Sequence, residues 1–115
     1  MKNLEIGNYA RVGTAGIKKI TDITRDSNNK IVNFIDEKGM FIGIHYVQQV
    51  EKKVLDLLQD GDYVNGYRIT KIGEAGQGRW AYWREYDRGW TFIKEENIMD
   101  ILTKEQFDSR KFEVR

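Results

Sequence analysis

The chain has 115 residues, with 19 basic and 18 acidic side chains, one histidine, no cysteine and no proline. A net charge of +1 gives no bulk attraction to nucleic acid or to an anionic membrane surface. The lack of cysteine excludes disulfides, thiolate nucleophiles and cysteine-based zinc sites.

Residues 5–12 read as a first strand, with Ile6 and Tyr9 entering the core. A Gly13-Thr14-Ala15-Gly16 loop leads to a second strand over 17–23, anchored by Ile17, Ile20 and Ile23. Asp26-Ser27-Asn28-Asn29 signals a turn, residues 30–35 a third strand, Asp36-Glu37-Lys38-Gly39 another turn, and residues 40–46 a fourth strand. Val47, Val50, Val54, Leu57 and Leu58 fall at helical spacing, which predicts a helix or short helical turn over 47–58. Asn65-Gly66 between apolar runs predicts a hairpin with a type I′ turn, because both central residues need positive φ. The 73–78 segment is a glycine-rich connector. Residues 79–85 and 90–94 form a further hairpin around Tyr86-Asp87-Arg88-Gly89. Thr103 and Gln106 have the spacing of a capping box, with a short helix to about residue 110 and a last strand at 112–114.

The order of elements recurs. Leu4-Glu5-Ile6-Gly7-Asn8-Tyr9 returns as Leu58-Gln59-Asp60-Gly61-Asp62-Tyr63. Lys19-Ile20-Thr21 returns as Arg68-Ile69-Thr70, and Val47 and Val50 return as Ile98 and Ile101. A collinear repeat of about 50 residues predicts two units of like strand order. Each half would be close to the lower size limit for independent stability, which favours packing of one half on the other. The expected fold is all-β with short helices: two tandem, related small barrels packed together, over residues 1–58 (with the connector) and 59–115. Gly61-Asp62-Tyr63-Val64 resembles the opening strand of SH3-like barrels.

The run 56–67 (Asp56-Leu57-Leu58-Gln59-Asp60-Gly61-Asp62-Tyr63-Val64-Asn65-Gly66-Tyr67), with Ile101-Leu102-Thr103-Lys104-Glu105-Gln106-Phe107, resembles a group of small proteins from phages and prophages of Gram-positive bacteria. That resemblance covers mostly the second half. It implies a mobile-element origin, a location in the cytoplasm of a bacterial host, and the role of an inhibitor of host defence or regulation. It transfers no catalytic residue.

Candidate chemistry is sparse. His45 is the one histidine, and Ser27 and Ser109 both lie in expected turns, so no nucleophile–base pair is in view. His45 reads as a surface or half-buried strand residue. No metal-ligand spacing and no cofactor motif occurs. Three carboxylate pairs, Asp36/Glu37, Asp60/Asp62 and Glu95/Glu96, read as solvated turn residues, with Asp62 accepting backbone N–H bonds. The 73–78 glycines lack the following helix and Lys of a phosphate loop. No apolar run nears the roughly 18 residues of a membrane span, and residues 1–13 have no signal-peptide core.

The run 79–90 stands out: Arg79, Trp80, Tyr82, Trp83, Arg84, Tyr86, Arg88 and Trp90 hold all three tryptophans of the chain. Strand alternation puts Trp80, Tyr82 and Arg84 on one face and Arg79, Ala81 and Trp83 on the other, so both faces carry an aromatic. Three readings are open. The tryptophans fill a small core with arginines on its rim, they anchor a contact with a host protein, or they stack on nucleic acid or a nucleotide. A role as a phage structural or connector protein is a further alternative. The expectation is a non-catalytic binding protein of undetermined oligomeric state.

Overall fold

The computed structural model describes the backbone of residues 4–75, 79–84, 91–92 and 94–110, and the side chains of residues 4–73 and 94–109. The described residues form three antiparallel sheets, a few short 3-10 turns and one short α-helix, so the protein is all-β. The chain divides into two compact units, Met1–Leu57 and Leu58–Arg115.

The first unit contains β1 (Tyr9–Val12), β2 (Gly16–Lys19), β3 (Asp22–Arg25), β4 (Ile31–Ile35), β5 (Phe41–Gly43) and β6 (Val47–Glu51). They form two sheets, ordered β2-β1-β6 and β3-β4-β5. The single strand expected over 17–23 is two strands, because the chain changes sheet between Ile20 and Thr21. Ile20 exchanges hydrogen bonds with Asn8 O and Gly7 N, each 2.8 Å. Thr21 N and Oγ1 instead donate to Ile35 O, both at 2.8 Å. Ile20 is fully buried at this corner with Leu4, Ala10, Val12, Phe34 and Val47. Burial of each larger side chain contributes roughly 1.5–3 kcal/mol.

Two expectations for this unit are corrected. Ile6 is 64% exposed and does not enter the core. It sits in the tight turn closed by Asn8 N on Glu5 O, next to Gly7 at φ +95°, and Leu4 takes the buried place. Residues 47–58 are not an α-helix: Val47–Glu51 is strand β6 and Val54–Leu57 is a 3-10 turn. The β-branched Val47 and Val50 pair with Val12 and Ala10 of β1, and that ladder overrides the helical spacing. The fourth strand is also shorter than expected, since Ile44–Tyr46 is a 3-10 turn.

The hairpins β3–β4 and β4–β5 use the same chemistry. Asp26 Oδ1 accepts the amides of Asn28 (2.8 Å) and Lys30 (3.0 Å). Asp36 Oδ1 accepts those of Lys38 and Met40, both at 2.9 Å. Three residues after each aspartate the backbone is left-handed, at Asn29 (φ 64°) and Gly39 (φ 79°). Asn and Gly are the residues that tolerate that conformation.

The second unit contains β7 (Tyr63–Val64), β8 (Tyr67–Ala75), β9 (Arg79–Arg84), β10 (Thr91–Phe92), β11 (Ile101–Leu102) and α1 (Lys104–Arg110). Its strands form one sheet, β10-β9-β8-β7-β11. Asn65 (φ 53°) and Gly66 (φ 86°) make the β7–β8 turn with both residues left-handed, as the sequence predicts. The capping box also forms: Thr103 N donates to Gln106 Oε1 at 2.9 Å, and Gln106 N to Thr103 Oγ1 at 3.2 Å. Gly73–Ala75 belongs to β8, so the glycine-rich connector begins later than expected. The Tyr86-Asp87-Arg88-Gly89 turn and the 112–114 strand lie outside the described residues.

One set of bonds occurs in both units. Gly7 N donates to Ile20 O (2.8 Å) and Gly61 N to Ile69 O (2.7 Å), and both glycines have φ +95°. Ile20 N donates to Asn8 O, and Ile69 N to Asp62 O. Leu4 and Leu58, three residues before these glycines, are each 6% exposed.

Candidate functional site

β9 is an interior strand, hydrogen-bonded to β8 on one side and β10 on the other. Its place fits its composition: a run of aromatics and one alanine between two arginines has high strand propensity. In the register, Arg79 stands opposite Ala75, Trp80 opposite Glu74, Tyr82 opposite Ile72 and Thr91, Trp83 opposite Lys71, and Arg84 opposite Ile69. The ladder slips between Ile69 and Lys71. Lys71 is exposed, Ile72 half-buried and Ile69 fully buried. Gly73 faces Ala81 across the ladder, and a Cβ built on Gly73 would meet no atom within 4 Å. The strands thus bring Arg79, Trp80, Tyr82, Trp83 and Arg84 onto one interior strand. Tyr86, Arg88 and Trp90 lie outside the described residues.

The carboxylate pairs separate by environment. Asp62 is fully buried, its Oδ2 accepting Gln59 N at 2.8 Å and its Oδ1 accepting Lys104 N at 2.9 Å. It holds the start of α1, the backbone-accepting role its position indicated, but in full burial and not on a solvated face. Asp60 Oδ1 accepts Ile72 N at 2.9 Å, which ties the turn to β8. Asp36 departs from the solvated reading: it is 2% exposed, and Lys18 Nζ stands 3.8 Å from its Oδ2. Asp26 makes the same two-amide closure while exposed, so hairpin closure alone does not bury Asp36. Glu37, beside it, is exposed and accepts Lys19 N at 2.8 Å. Glu95 and Glu96 are exposed on a 3-10 turn.

His45 is exposed, on the Ile44–Tyr46 turn rather than on a strand. Its ring lies 4.1 Å from that of Tyr46. A Cβ on Gly43 would come within 2.9 Å of His45 Cε1, so the absence of a side chain there lets the ring rest on the backbone. Phe41 (67% exposed) and Tyr46 (61%) add an aromatic surface that the sequence reading missed. The signal was present in Gly43, which is two residues along the strand from Phe41 and beneath His45. Glu5, Asn8, Val50, Glu51, Lys52 and Asp56 line a pocket of 310 Å³ in the first unit, with carboxylates and one lysine together. Among the described residues no group of three or more His, Asp or Glu side chains is set to hold a metal ion, and no helix is long and apolar enough to cross a membrane.

The chain matches no protein-family model, no curated protein and no solved structure.

Proposed function

We propose that the protein is a non-catalytic binding protein, a phage-derived accessory factor of tandem SH3-like units that docks on a host protein through its 79–90 hairpin. The observation that carries the docking surface is the gathering of Arg79, Trp80, Tyr82, Trp83 and Arg84 on one strand that pairs with β8 on one side and, at Ala81 and Tyr82, with β10 on the other. Recognition through such an interior strand rests on its side chains. Trp, Tyr and Arg are the residue types that dominate protein–protein hot spots. A near-neutral chain favours a protein surface over a long nucleic-acid duplex.

Tandem SH3-like organisation is supported by the recurring bonds at Gly7/Gly61, Asn8/Asp62 and Ile20/Ile69. It is supported also by the 3-10 turn that precedes the strand pairing back on β1 or β7 in each unit.

The test is capture of partners from bacterial lysate by the tagged protein, with and without nuclease. A protein that stays bound after nuclease and in moderate salt supports the reading. Loss of the captured material on nuclease or salt treatment overturns it in favour of nucleic-acid or nucleotide stacking. Tyr82→Ala with Arg84→Ala probes one alternating set, and Arg79→Ala with Trp83→Ala the other. One pair should abolish capture while the circular dichroism spectrum is retained, and retention of binding by both pairs would place the surface elsewhere.

A further inference from the structure

Of the seven asparagines, only Asn65 is followed by glycine. Its side chain is a clamp. Oδ1 accepts the amides of Met99 (2.8 Å) and Asp100 (3.1 Å), and Nδ2 donates to Asn97 O at 2.8 Å. Its own amide donates to Asp100 O at 2.9 Å. One asparagine thereby continues the β7–β11 ladder beyond Val64 and Ile101, holding 97–100 to the hairpin turn.

We propose that Asn65-Gly66 is a self-modification site, an asparagine deamidation centre that the fold holds silent and that irreversibly loosens the 97–100 segment once it reacts. In the reaction, the Gly66 backbone nitrogen loses its proton to water or base and attacks Asn65 Cγ. The new C–N bond closes a cyclic imide while the Cγ–Nδ2 bond breaks and ammonia leaves. Water then opens the imide to aspartate or isoaspartate. Glycine leaves the attacking nitrogen unhindered, having no Cβ.

In the native fold the reaction is opposed. Three bonds to 97, 99 and 100 hold Oδ1 and Nδ2, and loss of Nδ2 or any turn of the side chain breaks them. Reaction therefore proceeds through local opening of this segment. The product cannot restore the whole clamp. An aspartate can still accept the amides of Met99 and Asp100, but it lacks the N–H donor for Asn97 O. An isoaspartate also lengthens the backbone inside a turn that needs left-handed geometry at both positions. The segment it loosens joins the 79–92 hairpin to β11, whatever that hairpin binds.

The experiment incubates the full chain in mildly alkaline buffer, folded and in parallel in urea, and maps amide-to-acid conversion by peptide mass spectrometry. Conversion should concentrate at Asn65 in urea and run at least ten-fold slower in the folded protein, a factor equal to about 1.4 kcal/mol of local opening. Gly66→Ala should suppress it in urea, where the turn geometry no longer matters. Met99→Pro removes one amide donor from the clamp, follows a residue already extended (Ile98, φ −84°, ψ 112°), and should speed conversion in buffer. Equal rates in buffer and urea overturn the proposal, as does conversion in urea spread over the other asparagines. If Met99→Pro unfolds the second unit, the buffer-against-urea comparison on the natural chain decides alone.

Discussion

Asn8 and Asp62 occupy matching places, yet the two units use them differently. Both carbonyls accept the amide of a buried isoleucine, but the Asp62 carboxylate also gathers Gln59 N and Lys104 N in full burial. Asp62→Ala leaves two donors without an acceptor, and an orphaned buried donor costs about 1–3 kcal/mol. A lowered denaturation midpoint with an early loss of helical signal is expected. Asp62→Asn preserves one acceptor and should fall between. Asn65→Ala deletes three side-chain bonds and replaces a residue whose short polar side chain tolerates φ 53° with one that does not, so it should destabilise by about 1–3 kcal/mol in urea titration. Gly39→Ala isolates the backbone contribution, because a Cβ there meets no atom within 4 Å while φ is +79°. Its expected cost is about 1–2 kcal/mol, and Gly39→Asn should recover most of that.

At the scale of elements, turns and caps were legible because short-range chemistry decides them. Asp26, Asp36, Asn65-Gly66 and the Thr103–Gln106 pair each act within a few residues or require a particular φ. Thr103→Ala should reduce stability by about 0.5–2 kcal/mol and Gln106→Ala by less, read as the amplitude and midpoint of the α1 signal. The 47–58 segment was misread because helical spacing and β pairing make competing demands on the same valines. A partner strand nearly forty residues earlier, β1, settled the matter, and no local pattern announces a distant partner. Ile6 was misread for the opposite reason: Gly7 sets a turn that reverses which neighbour points inward. For the candidate site, the strand and its richness in aromatics and arginine were legible. Its interior place, and the exposed Lys71 beside it, arise only when β8 and β10 assemble around it.

On the scale of the molecule, charge balance makes a separate claim. With 19 basic and 18 acidic groups there is little field for phosphates to feel. The protein should not be retained on duplex DNA at physiological salt, and binding to the proposed protein partner should weaken little as salt rises. A steep salt dependence measured by calorimetry would contradict both expectations.

The guanidinium of Arg11 carries a different consequence. Arg11 lies on β1, fully buried between Ile17 and Gln49 in the ladder, and its Nη1 donates 2.8 Å to the carbonyl of Leu57, the last residue of the first unit. A cation from the opening strand therefore holds the closing residue. Any fragment ending before Leu57 would strip an acceptor from a buried positive charge, so the first half has a fixed minimum length however dispensable its final turn looks. Its chain is measured out by a single arginine.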